Sequence, residues 1–405
     1  MIKLKAIFIA LFIILVTRIT RFWFDIFLYL DLLLAVIGVF SLILGVLYYK
    51  NRRGVVDKNR KEIVDIVFLY FLLGILGISQ AILISEQSLF WSLASEMRLF
   101  IPGCVILLTF CSERTLRLGL SIMAWFVLIA HYIFAGLDYF GLTELVPEHL
   151  YGIDPYRGNR FKLNLSILLL MSLYFLLNGM SRLRFLFVLG TLILFIFIMV
   201  ARIHSAALVL FVSAILLHNF IGFLKGYTIK RRSFFMVLLA SPVLVYIFYF
   251  LADLLIFAGT NLFAGLDVID VSSNSRKIQF LVVLPDYIEV FPFGFGKLSA
   301  NSGLSLFEKY QYFFAEDLGI IGVLIVYGLL GALLYSFIFY RVYIIILQTF
   351  ETYIARAIGI AVFVVWFVTG DPLLFAGVFL SFIVLIQKQQ SALKDRIPLN
   401  QRNVY

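Results

Sequence analysis

Charge and cysteine are both scarce in this chain. Only 14% of its 405 residues are Asp, Glu, Lys or Arg, against 63% hydrophobic, where a soluble domain carries about 25% charged and about 45–50% apolar residues. So few charges cannot clothe a water-exposed surface, and a soluble globular protein is excluded. There are two cysteines, Cys104 and Cys111. They stand in one apolar helix about 10 Å apart along its axis, too far to bridge. A disulfide framework and the Cys/His spacings of metal sites are both missing, so no metal and no cofactor is expected. No internal repeat relates the two halves, which speaks against transporter folds built from duplicated bundles. No small-residue cleavage site follows the first apolar segment, Leu4 to Val16. Arg18, Arg21 and another apolar stretch follow instead, so this segment is expected to be a retained first helix.

What the chain has in abundance is apolar length. A crossing takes ~20 mostly apolar residues, and after the first segment such runs lie at roughly 22–49, 63–84, 89–110, 118–135, 163–178, 185–200, 205–224, 233–252, 317–340, 354–370 and 372–387. The expected fold is an all-α polytopic membrane protein of about twelve transmembrane helices, a single transmembrane domain over 1–405. The net charge of +10 then reports orientation rather than a nucleic-acid partner. With both termini in the cytoplasm, 22 of the 33 Lys and Arg fall on that side: Lys3, Lys5 and the runs Lys50 to Lys61, Arg114/Arg117, Arg182/Arg184, Lys225 to Arg232, Arg341/Arg356 and Lys388 to Arg402. That side carries +16 and the outer side −6. Two long connections are then external, 136–162 and 253–316. Connections beyond ~12–15 residues usually serve a function, so the chemistry is sought outside.

Against this orientation, outward cations are the unexpected residues. Arg157, Arg160 and Lys162 close the first external connection just before a helix that carries Asn164 near its start. A guanidinium donates two parallel hydrogen bonds to phosphate oxygens, so this cluster suits a lipid diphosphate; gripping ordinary phospholipid, or pairing with Glu148 and Asp154, suits it equally. Arg202 and His204 occupy a tight external turn between two spans, where His204 adds a group that exchanges protons near neutral pH. Glu96 and Arg98 lie inside the fourth span, Arg98 about 13 Å deep, and there structural pairing is the expected role. In the long connection, Asn274-Ser275-Arg276-Lys277 precedes an amphipathic stretch, Ile278 to Val290, interrupted by Pro285. Pro292-Phe293-Gly294-Phe295-Gly296 follows, where Gly294 and Gly296 permit close backbone approach and the aromatics suit sugar faces. Glu308, Lys309, Tyr310, Glu316 and Asp317 then lead into the tenth span, and any of these carboxylates is chemically able to act as a general base toward a hydroxyl.

In this order the pieces resemble the O-antigen polymerase and O-antigen ligase superfamily over residues 150 to 340. Arg160 to Asn164 resembles the family's first-loop stretch ending in Asn, and Ala201-Arg202-Ile203-His204-Ser205-Ala206-Ala207-Leu208 its Ser-Arg-small-small-Leu helix start. Asn274-Ser275-Arg276 with Phe291 to Gly296 is similar to its Arg and Pro-x-x-Gly-x-Gly loop. Glu316-Asp317-Leu318-Gly319-Ile320-Ile321-Gly322 is similar to its Glu-x-Gly-x-x-Gly start of the tenth helix. The resemblance implies an integral-membrane, GT-C type glycosyltransferase that needs no metal and uses undecaprenyl-diphosphate-linked glycans as donor and acceptor. It also implies a bacterial inner-membrane location, and a chain-length regulator and a flippase as pathway partners. By position Arg202 and Arg276 inherit the catalytic hold on the diphosphate, with Arg157 or Arg160 as third cation. His204 is a further catalytic candidate, and Lys162, Asn164, Lys277, Gly294, Gly296 and Tyr310 are candidates for binding substrate. Ligases of the family carry a His-Asn pair about eleven residues before the tenth-helix glycine. Here that position, counted back from Gly319, holds Glu308-Lys309. The departure points to a polymerase of repeat units with Glu308 as base. Ligation to a lipid A core, or flipping of the same lipid, stands as the alternative.

Overall fold

A backbone crossing lipid must satisfy its own hydrogen bonds, and a helix does so within one segment. The computed structural model describes residues 2–16, 27–51, 58–145, 151–154, 158–161, 166–177, 181–194, 271–298, 320–349, 377 and 380–388. In it the apolar runs are helices: α1 (Ile2–Val16), α2 (Phe27–Asn51), α3 (Lys58–Leu83), α4 (Leu89–Phe100), α5 (Val105–Leu108), α6 (Glu113–Tyr139), α7 (Ser166–Leu177), α8 (Arg182–Ile193), α9 (Val271–Val290) and α10 (Ile320–Thr349). Five stretches among the described residues are long and apolar enough to cross a bilayer, namely Leu30–Tyr48, Lys61–Leu83, Leu89–Leu108, Glu113–Tyr139 and Ile320–Val342. They coincide with the expected second, third, fourth, fifth and tenth spans. The first span is represented by the shorter apolar helix Leu4–Ile13, and α7 and α8 fall on the sixth and seventh. The spans expected at 205–224, 233–252 and 354–370 lie outside the described residues; the last, 372–387, is helical over 380–388.

Among the described residues one hairpin is not helical. In the connection over 136–162, β1 (Tyr151–Asp154) and β2 (Gly158–Phe161) form an antiparallel hairpin that sets Tyr151 opposite Phe161 and Gly152 opposite Arg160. The bundle is helical as expected, with this short ribbon added.

The fourth span is composite. Pro102 lacks an amide hydrogen, and where it falls the α-helix tightens into a 3₁₀ turn, Ile101–Cys104, before resuming as α5. The turn lets α2 come close, since a Cβ on Gly38 would overlap the Phe100 carbonyl and one on Gly103 would overlap Gly38 itself. Small residues at such crossings are how helices pack where lipid offers no hydrophobic drive.

Tyr70, Leu73, Leu99, Met123, Val127 and Tyr335 belong to one buried core drawn from α3, α4, α6 and α10. Outer faces are apolar too: Leu32, Phe40 and Leu44 on α2, Phe68 and Ile75 on α3, and Leu330 and Leu333 on α10 are all exposed. Apolar surface on this scale, inside and out, requires lipid around it. The molecule is a helical, membrane-embedded protein.

Helices α3 and α10 run antiparallel and organise its two ends. At one end Arg341 donates to Asp65 at 3.2 Å and Gln387 donates to Glu62 at 3.1 Å. Lys388 there acts on Cys111, whose thiol burial pushes up while the ammonium partly opposes the shift. Every charged residue in this group was assigned to one side by the charge pattern. At the other end Ala81 of α3 lies against Gly296, and the chain after α9 meets α10.

Candidate functional site

The meeting point is a break in α10. Gly328 has φ 67° and ψ −171°, so the helix stops and restarts within the tenth span. Only glycine adopts this backbone at low cost, and a break at membrane depth leaves carbonyl and amide groups that must find partners. The segment after α9 supplies them. The Phe295 amide donates to the Ile325 carbonyl at 3.1 Å, the Gly296 amide to Val326 at 2.8 Å, and the Leu329 amide donates to the Pro292 carbonyl at 2.9 Å. The Gln80 side chain of α3 donates to a further carbonyl, that of Tyr327, at 3.1 Å. The Pro-Phe-Gly-Phe-Gly turn is thus spliced into the broken span. Its glycines make this possible: a Cβ on Gly294 would meet the Val326 carbonyl and the Gly328 amide, and one on Gly296 the backbone of Ala81.

The turn between α3 and α4, together with α4 itself, grips the same loop from the other side. Ser85 Oγ donates to the Phe295 carbonyl at 2.6 Å, and Ser95 Oγ to that of Lys297 at 2.6 Å. Gln87 donates to Ser92 Oγ at 3.1 Å and reaches the Lys297 carbonyl at 3.4 Å. Deeper in, the Tyr327 hydroxyl donates to Glu96 at 3.1 Å, and the other Glu96 oxygen rests over Gly77. Glu96 is wholly buried. The partner that the sequence requires for it elsewhere is Tyr327, 231 residues away.

Helix α9 is held to this anchor by a small cluster of its own. Val283 and Tyr287, one turn apart, are buried against Phe295 and Ile325. Burial pushes the Tyr287 phenol up from its ordinary value. Phe291 and Phe293 are exposed and Phe295 is buried.

Among the residues singled out from sequence, Gly294 and Gly296 sit in the spliced turn, and Arg276 and Lys277 lie on α9, in the same element that ends there. Arg160 lies on β2 opposite Gly152. Arg157, Lys162, Asn164, Arg202, His204, Glu308 and Tyr310 fall outside the described residues. Sequence reasoning missed Gln80, Ser85, Gln87, Ser95 and Tyr327, all of which fix the loop or its surroundings. It also missed Gly328, whose one signal, a glycine inside an apolar run, is common in membrane helices.

The class the fold defines is thus a helical membrane protein with a loop spliced into a broken span. The chain matches no protein-family model, no characterised protein and no solved structure.

Proposed function

We propose that this protein is a metal-independent glycosyltransferase that polymerises undecaprenyl-diphosphate-linked oligosaccharide repeat units at the outer leaflet of a bacterial inner membrane. A hydroxyl of the incoming lipid-linked unit attacks the anomeric carbon of the growing glycan. The bond from that carbon to the diphosphate breaks, the diphosphate leaves on its lipid, and the hydroxyl proton passes to a carboxylate, for which Glu308 is the candidate. Arg202 and Arg276 hold the leaving diphosphate, where preformed positive charge in a partly dehydrated site stabilises the charge that develops. The observation that supports the reading is the anchoring of α9. The element bearing Arg276 and Lys277 ends in a turn hydrogen-bonded to α10 and gripped by the α3–α4 turn, at the bundle end opposite the Asp65–Arg341 pair. A diphosphate-binding arginine needs a fixed mount of this kind.

The test is genetic. Arg202→Ala and Arg276→Ala should abolish long glycan chains on gels while the protein remains in the membrane, and Arg276→Lys should rescue poorly because an ammonium cannot bind two oxygens in parallel. Normal chain-length ladders from both alanine variants would contradict the proposal. Accumulation of untransferred long chains in deletion cells, instead of single-repeat product, would favour ligation.

The broken α10 gives one specific reason to weigh transport, since discontinuous helices build the substrate sites of many transporters. Here, however, the carbonyls of Ile325, Val326 and Tyr327 are taken by Phe295, Gly296 and Gln80, which leaves them committed to the protein itself.

A further inference from the structure

Helix α9 lies within what the sequence presents as an external connection, yet from Leu281 onward its outer face is apolar apart from Glu289. Leu281, Val282 and Ile288 are 50%, 46% and 64% exposed, and Phe291 and Phe293 just beyond are each 55% exposed. At 100° per residue Leu281, Pro285 and Ile288 share one stripe, opposite the buried Val283 and Tyr287. Glu289 is the one exposed charge between Leu281 and Val290. A face of this kind is costly in water.

Its place follows from the splice. The turn that ends α9 bonds to the Ile325 and Val326 carbonyls of α10. On α3 the same turn lies at Ala81, beside the helix end at Leu83. The end of α9 therefore lies beside the end turns of α3 and α10, where Leu83 and Ile321 are exposed as well. Interfacial helices lie about 5–10 Å into the boundary between headgroups and acyl chains.

We propose that α9 and the Phe291–Phe293 turn form an interfacial membrane element, whose exposed stripe is covered by lipid at the outer end of the bundle. The 253–316 connection then has at least one arm bedded in the leaflet, which brings Arg276 and Lys277, on the same helix, toward headgroup level. This requires only that the protein is membrane-embedded, not that it is a glycosyltransferase.

Single cysteines at Leu281, Ile288, Phe293 and Glu144, in the full-length chain carrying Cys104→Ala and Cys111→Ser, would be labelled with an environment-sensitive fluorophore. The labelled proteins would be placed in nanodiscs of phosphatidylethanolamine and phosphatidylglycerol. Probes at 281, 288 and 293 should be quenched by shallow doxyl-phosphatidylcholine about twofold or more beyond the probe at 144, and shielded from aqueous iodide, as an interfacial depth requires. Iodide quenching equal to that at 144 would overturn the proposal. So would protection from both quenchers, which would mean that protein covers the stripe. A benzophenone residue at position 288 in the native cysteine background gives an independent reading: crosslinking to phospholipid supports the proposal, and crosslinking to protein alone overturns it.

Discussion

At the scale of single residues, two glycines make a matched comparison. Gly296 and Gly141 have φ of 72° and 71°, but a Cβ at 296 would strike Ala81 while one at 141 meets nothing within 4 Å. Gly141→Ala is expected to cost about 1 kcal/mol from backbone strain alone, and Gly296→Ala about 3 kcal/mol or more from strain and overlap together. Thermal unfolding in detergent reads the difference as a much larger fall in Tm for the second variant; equal falls would mean that the turn does not dock on α3. Tyr327→Phe removes the hydroxyl that donates to the buried Glu96, and a loss of about 1–3 kcal/mol is expected. No local pattern exposes this pair. Glu96 was legible as a costly residue in need of a partner, but helical spacing names only neighbours three or four residues away, and the partner comes from another span.

Among elements, the contacts between α3 and α10 differ sharply in weight. The Asp65–Arg341 pair is 43% and 35% exposed on its side chains, so Arg341→Met should change stability by less than about 1 kcal/mol. Gln80→Leu strands the Tyr327 carbonyl at a helix break and should cost about 1–3 kcal/mol. Denaturation of the two variants under the same conditions checks the order; a larger loss from Arg341→Met would contradict it. Legibility divides along the same line. Long apolar runs predict the spans that are described, because crossing length and hydropathy are local properties. The break at Gly328 is not local: it becomes stable only when Phe295, Gly296 and Gln80, each far away in the chain, fill the freed backbone positions. The sequence pattern Pro-Phe-Gly-Phe-Gly did mark close backbone approach, and the backbone approached is that of α3 and α10. Of the cations that stand against the charge pattern, Arg98, Arg160, Arg276, Lys277 and Lys297 lie among the described residues, and nothing in their local spacing announces the Gln80, Ser85 and Ser95 contacts that fix the loop.

For the whole molecule, the division of charge makes a topological prediction. Glu62, Asp65, Arg341, Gln387 and Lys388 gather at one end, while the α3–α4 turn and the spliced loop occupy the other. If the cation-rich end is cytoplasmic, Glu144→Cys should react with an impermeant maleimide in spheroplasts and Lys61→Cys only after lysis. The reverse pattern would invert the molecule and move the candidate site to the cytoplasm. The native Cys111 should label slowly, because burial raises its pKa and lowers its thiolate fraction at neutral pH.

The central claim, that the protein forms glycosidic bonds between lipid-linked units, is tested most directly by reconstitution. Purified full-length protein in proteoliposomes would be supplied with a homogeneous undecaprenyl-diphosphate-linked repeat unit in the outer leaflet. The proposal predicts a ladder of elongated lipid-linked glycans with one undecaprenyl diphosphate released per new bond, lost in Arg276→Ala. Intact single units recovered from an active wild-type preparation, whether left in place or carried across the membrane, would contradict it.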